Sequence, residues 1–286
     1  MQTTTRRSLL GTETAIDFSA STHTGSVRAV NEDSLVAEFP LFLVADGMGG
    51  HDRGDQASQT VAAVMSDRLI RPELPTIGNV LEAIGVANDE VIALTAGTPG
   101  AGISGTTLAG VAFVLNEDRL SAHWMAFNIG DSRIYAWDGR TLEQLSVDHS
   151  AVQELVDAGT ITGEAARVHP DRNIITRAVG ARADVDADVW LLPASGAHSF
   201  VICSDGLTKE LDDREIADIV AANGSSVAPA SIADELVAAA VHAGGRDNVT
   251  VVVIGVTPVA VGTDSEDTRE RTEIIEETTP RLELQE

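Results

Sequence analysis

Leu41 to Ala45 is an unbroken apolar run that stops at Asp46-Gly47-Met48-Gly49-Gly50, the pattern of a buried strand entering a turn. From Asp55 to Leu69 the apolar positions change period. Ala57, Val61, Val64, Met65 and Leu69 recur at helical spacing, and a second stripe of Val80, Leu81, Ile84, Ala87, Val91 and Leu94 predicts a helix over Ile77 to Ala96. The two stripes suit neighbouring helices that share an apolar seam. Four short strands are then expected near Thr106–Leu115, Ser121–Ile129, Ser132–Trp137 and Leu142–Leu145, with turns at Asn116 to Asp118 and at Asp138-Gly139. Hairpin-linked strands predict antiparallel sheets, not the alternating βαβ order of a nucleotide-binding fold. A helix is expected to start near Ser150, and residues 159–180 read as irregular. Phe200 to Cys203 is a further buried strand ending at Ser204-Asp205-Gly206. Helices over Asp213–Ala222 and Ser231–Ala243 precede a loop, Gly244 to Asn248, and a last strand over Val249–Val256.

Residues 1–12 read as a flexible N-terminus and 13–257 as one domain. After Thr257 the pattern disappears. Residues 263–286 carry nine acidic and three basic side chains with few apolar ones, so 258–286 read as an acidic, disordered tail.

Composition narrows the chemistry. Of 286 residues 43% are hydrophobic but only 3% aromatic, so the core must be built from Val, Ala, Leu and Ile. The lone Cys203 excludes an internal disulfide and fits a reducing, cytoplasmic setting. No stretch approaches the ~18 apolar residues a membrane helix needs. A formal net charge of −25 argues against nucleic acid or anionic lipid as a partner. It also means that a phosphorylated ligand would have to be met through cations.

Four strand ends place an aspartate beside a glycine or asparagine: Asp46, Asp131, Asp205 and Asp247. Such pairs are common in turns. Four of them tied to apolar strands point instead to one shared site for a hard divalent cation such as Mg²⁺ or Mn²⁺, which favours oxygen ligands. The spacings of zinc sites, nucleotide-binding loops and nucleophilic serine elbows are missing, so covalent catalysis has little support.

The ordered set Arg28-Ala-Val-Asn-Glu-Asp-Ser34, Ala45 to Gly50, Ser104-Gly-Thr-Thr107, Gly130-Asp-Ser-Arg133, Asp148-His149, Ser204 to Gly206 and Gly245 to Asn248 resembles the type 2C metal-dependent protein serine/threonine phosphatases. The stretches Gln153 to Gly159 and Ile175 to Gly180 are further similar to the bacterial branch that opposes serine/threonine kinases. The resemblance implies an α+β fold: two packed antiparallel β-sheets flanked by helix pairs, an α-β-β-α sandwich. It implies two Mn²⁺ or Mg²⁺ ions, with Asp46 bridging them, the Gly47 carbonyl on one, Asp205 and Asp247 on the first and Asp33 supporting the second. Asp131 with Asp205 would form a weaker third site. Arg28 would grip the phosphate, and water bridging the two cations would attack it. His51 is the candidate acid for the leaving group, the alternatives being a loop histidine without a catalytic role and a water held by a metal in its stead. Residues 150–180 would correspond to the family's mobile flap beside the active site, where Arg167, His169 and Arg172 would face a phosphopeptide. The implied partners are phosphorylated proteins, a serine/threonine kinase and its substrates. In the tail, Glu276-Glu-Thr-Thr-Pro280 and the acid-flanked Thr268 and Thr272 are open to a phosphothreonine-reading module, against a plain solvated end. Two rival functions remain at this stage: an enzyme of the same fold acting on anti-sigma-factor antagonists, and a non-catalytic regulator.

Overall fold

A computed structural model describes residues 2–9, 12–49, 53–95, 104–195, 198–223 and 232–258. Along the chain, strands β1 (Gln2–Leu9), β2 (Thr12–His23), β3 (Asp33–Glu38) and β4 (Leu41–Met48) are followed by helices α1 (Gly54–Leu69) and α2 (Ile77–Thr95). Strands β5 (Gly105–Thr106), β6 (Leu108–Leu115), β7 (Ala122–Ile129), β8 (Arg133–Trp137) and β9 (Leu142–Gln144) come next. The flap region holds α3 (Ala151–Asp157) and α4 (Gly163–Arg167). The chain then runs through β10 (Asp188–Pro193), β11 (His198–Cys203), α5 (Asp205–Thr208), α6 (Asp213–Ala222), α7 (Ile232–Ala243) and β12 (Val249–Pro258).

One sheet has the order β1-β2-β12-β11-β8-β9 and the other β10-β7-β6-β4-β3, with β5 attached to β4, and the strand pairs are antiparallel. Period-two alternation explains the layering. On β4, Leu41, Leu43 and Ala45 face α1 and α2, whereas Phe42 and Val44 face the other sheet. On β12, Val251 and Val253 face the helices α6 and α7, while Val252 and Ile254 enter the gap between sheets. Few aromatics suffice for that gap because they cluster. Phe113 and Trp124 meet edge to face at 5.1 Å, and Trp124 lies 5.9 Å from Phe200. The result is the expected sandwich, helices–sheet–sheet–helices.

Three local expectations change. Residues 2–9, read as flexible, pair as β1 along β2 from Gln2↔Ser19 to Leu9↔Thr12. The polar run Gln2 to Ser8 carries no apolar alternation, so only the partner strand reveals β1. Leu81, placed on the buried stripe of α2, is 46% exposed because Val80, Ala83, Ile84, Ala87 and Val91 already fill that face. Residues 159–180 contain the short helix α4, capped by Thr162, whose side chain accepts from the Ala165 N–H. The tail lies outside the described residues.

Candidate active site

Antiparallel register gathers the site. The end of β4 lies beside the starts of β3 and β6, and the end of β7 beside the start of β6. In the second sheet the end of β11 lies beside the starts of β12 and β8. Asp33, Asp46, Asp131, Asp205 and Asp247 therefore come from the same edge of the sandwich. The seam between sheets is stitched there. The Ser204 hydroxyl donates to Asp33 Oδ2 at 2.8 Å, and the Glu32 N–H donates to Asn248 Oδ1 at 2.9 Å. The amide of Asn248 in turn donates to the carbonyls of Thr24 and Val30.

Asp46 is held by its backbone. Its N–H donates to Thr107 Oγ1, and its carbonyl accepts from the Thr107 N–H and the Thr106 hydroxyl, each at 2.9 Å. That leaves the carboxyl free to point at the cluster. Gly47 follows because nothing larger fits: a Cβ there would lie 2.1 Å from the Gly54 carbonyl oxygen. Gly206 is tighter still, 1.9 Å from the Asn248 carbonyl oxygen, which draws the loops of Asp205 and Asp247 together. Asp131 sits where the chain crosses from one sheet to the other, after Gly130 at φ +106°.

Crowding carboxylates out of water is costly. Burial, then repulsion from its neighbours, pushes Asp46 well above the usual carboxylate range. Burial also raises Asp33 to about 6, against hydrogen bonds from Thr250 and Ser204, and Asp131 to about 8, with added repulsion from Asp205 and Asp148. Asp205 is raised by burial too, although Lys209 opposes it. Asp247 behaves oppositely. Burial pushes it up, but Lys209 and Arg28 outweigh burial and hold it below its ordinary value.

Arg28 is half exposed and forks onto Asp247, Nε to Oδ1 at 2.8 Å and Nη2 to Oδ2 at 3.1 Å. Lys209 bridges Asp205 Oδ2 at 2.5 Å and Asp247 Oδ2 at 2.9 Å. The sequence reading missed Lys209, as well as the joining roles of Ser204 and Asn248. The signal for Lys209 was its position one helical turn after Asp205.

Among the described residues no three Asp, Glu, His or Cys side chains close round one point as a finished metal cage. The buried oxygens fit divalent cations nonetheless. Asp33 Oδ1, Asp131 Oδ1 and Asp205 Oδ1 are buried without any hydrogen-bond partner, in a cluster whose like charges repel. Hard cations satisfy both deficits. The cage is open because Lys209 already holds two of the carboxylates in this arrangement.

The flap is anchored close by. Thr106 and Val179 exchange backbone hydrogen bonds beside Asp46, at 3.1 and 2.9 Å. His149 ties the flap to the Asp131 loop: its N–H donates to the Gly130 carbonyl and its Nδ1 accepts from the Gly130 N–H at 3.0 Å. The other ring nitrogen, Nε2, meets Asp188 Oδ2 at 3.1 Å, and Asp188 Oδ1 accepts from Arg177 at 2.6 Å. Arg167 and Arg172 are exposed on the flap and His169 is partly so. His51 lies outside the described residues.

Comparison with known proteins agrees with this geometry. The family model "Protein phosphatase 2C" matches residues 23–239. The "Serine/threonine phosphatase stp" of Listeria welshimeri is 33% identical over 245 residues, 82% of this chain and 93% of that protein. The crystal structure of the Ser-Thr phosphatase MsPP from Mycobacterium smegmatis, in complex with cacodylate, is 37% identical with a TM-score of 0.72, over 83% of this chain and 97% of that one. The catalytic domain of the phosphatase PstP, crystallised with two manganese ions, superposes with a TM-score of 0.75 at 33% identity, over 85% of this chain and 99% of that one.

Proposed function

This chain belongs to the protein phosphatase 2C family, and from that premise we propose how its own residues carry the reaction. It is a metal-dependent protein serine/threonine phosphatase using Mn²⁺ or Mg²⁺, two per active site. Its substrates are phosphorylated proteins. Full membership, with each motif aspartate present, leaves the regulator reading without support. Among the described residues no helix is long and apolar enough to cross a membrane.

The assignment of residues to roles is our reading. Asp46 and the Gly47 carbonyl would help to hold both cations. Asp205 and Asp247 would hold the first, Asp33 would support the second, and Asp131 with Asp205 would offer a weaker third position. A pair of divalent cations, when bound, neutralises phosphoryl charge and acidifies water for attack. The chain does the remainder. Thr106 and Thr107 fix the Asp46 backbone, so the carboxyl needs no reorganisation during turnover. Arg28, half exposed beside Asp247, offers a planar fork of donors to a phosphate at the rim. His51 delivers the proton to the departing serine or threonine oxygen. The exposed Arg167 and Arg172 of the flap offer guanidinium donors to a phosphopeptide on an otherwise acidic protein. We further assign a serine/threonine kinase and its substrates as partners, in line with relatives named serine/threonine phosphatases, and Thr268 and Thr272 as docking sites for a phosphothreonine-reading module.

The observation that carries this reading is the trio of buried, unpartnered oxygens on Asp33, Asp131 and Asp205. The test is hydrolysis of a phosphothreonine peptide with Mn²⁺, with chelator and in Asp205→Ala. Turnover that needs the metal and vanishes in the variant supports the assignment. An Asp205→Ala enzyme as active as wild type would sink it.

A further inference from the structure

Lys209 is the C-cap of α5 and stands one turn after Asp205. Its ammonium contacts Asp205 Oδ2 at 2.5 Å and Asp247 Oδ2 at 2.9 Å, so one positive charge spans two carboxylates from different loops. This is not an ordinary surface pair. The two carboxylate side chains are only 14% and 18% exposed, so the contact is poorly screened. Lys209 itself is 33% exposed. Its four-carbon stem reaches in from the rim, and a lysine ammonium, unlike a buried guanidinium fork, is readily returned to water.

We propose that Lys209 is a built-in competitor for the metal: its ammonium occupies the Asp205–Asp247 pair in the metal-free protein, and a divalent cation enters that pair by displacing it. The inference rests on the reading of Asp205 and Asp247 as ligands of one cation. Two consequences follow from charge. Lys209 protects the metal-free fold from repulsion among its carboxylates, and it lowers the affinity of that pair for metal. Occupancy then tracks the free divalent-ion concentration instead of saturating at trace levels.

The experiment is calorimetric titration of the metal-free full chain with Mn²⁺, checked by the electron paramagnetic resonance signal of free Mn²⁺. Wild type, Lys209→Met, Lys209→Arg and Asp205→Asn are compared. Lys209→Met is expected to bind the tightest Mn²⁺ about tenfold more tightly than wild type, equivalent to about 1.4 kcal/mol. Lys209→Arg, which keeps the charge, should stay within about threefold of wild type. The gain should persist at 1 M KCl, where through-solvent fields are screened within about 3 Å. Melting of metal-free Lys209→Met should occur at a lower temperature than wild type, with the gap closing at saturating Mn²⁺. Equal or weaker Mn²⁺ binding by Lys209→Met, or a gain that vanishes in high salt, overturns the proposal. If Lys209→Met fails to fold, Lys209→Gln carries the same expectation with a polar stem. The outcomes separate cleanly. Wild type that binds Mn²⁺ and Asp205→Asn that does not uphold the ligand assignment even when Lys209→Met binds like wild type. Wild type that binds no Mn²⁺ removes both.

Discussion

Asp33 and Asp46 are direct partners in the β3–β4 ladder, so two carboxylates face each other on adjacent strands. Like charges at such positions destabilise a sheet. Burial, with repulsion from Asp205 and Asp247, raises Asp33 to about 6, a penalty of about 3 kcal/mol in the ionised form, and the Asp33 charge in turn helps to raise Asp46. Asp33→Asn keeps an oxygen to accept from Ser204 and removes the charge. The metal-free variant should therefore be more stable than wild type by about 1–3 kcal/mol in urea denaturation, while phosphopeptide turnover falls. A metal-free Asp33→Asn that unfolds more easily than wild type contradicts this account.

Arg28 tests phosphate recognition. Arg28→Ala should lower kcat/KM for a phosphothreonine peptide about 10- to 100-fold and weaken inhibition by inorganic phosphate. Arg28→Lys should recover only a small part, since an ammonium cannot reproduce the fork. Full recovery in Arg28→Lys would show that charge alone suffices.

His149 gives a pH signature outside the metal cluster. Its Nδ1 accepts from the Gly130 N–H, so Nε2 carries the proton offered to Asp188. Burial lowers its affinity for a second proton, against the pull of Asp188, with Arg177 adding to the lowering. The unfolded chain thus takes up a proton before the folded one does. This contribution to stability is present above about pH 6.5 and is lost as pH falls through the lower folded value. His149→Phe should cost about 1–3 kcal/mol at pH 7.5 by orphaning the Gly130 N–H. The acid-side loss between pH 7.5 and 5.5 should be smaller in the variant than in wild type, as read by urea melts at both values.

Gly206 is a steric control on site assembly. A Cβ there would lie 1.9 Å from the Asn248 carbonyl oxygen, so Gly206→Ala must push the Asp205 and Asp247 loops apart. A destabilisation of about 2–4 kcal/mol and weakened Mn²⁺ binding are expected. Gly163, whose Cβ would meet nothing within 4 Å, supplies the comparison. Gly163→Ala should match wild type in both measurements.

The role of His51 is separable by leaving group. A general acid matters when the departing oxygen is strongly basic and little when it is a nitrophenolate. His51→Ala should slow phosphothreonine peptide hydrolysis about 10²-fold yet leave p-nitrophenyl phosphate hydrolysis within a few-fold of wild type. Equal losses on both substrates would assign His51 to binding or structure instead.

The sequence by itself marked the buried elements, because an unbroken apolar run along Leu41 to Ala45 needs cover on both faces and period 3.6 along Ala57 to Leu69 commits one helix face to burial. It also marked Asp46, Asp131, Asp205 and Asp247, since an apolar strand ending in Asp beside Gly or Asn is a local pattern. It could not mark β1, whose polar residues 2–9 become a strand only through hydrogen bonds to β2. Nor could it place the solvent side of Leu81, which depends on how many neighbours already fill the seam. Tertiary structure alone decided which strand ends meet, through antiparallel register. It thereby set Asp33 against Asp46, which lie 13 positions apart in the chain, and brought Lys209 between Asp205 and Asp247. Charge on a single side chain is written in the sequence. What that charge does depends on distances between residues far apart along the chain, and these exist only after the sheets have packed.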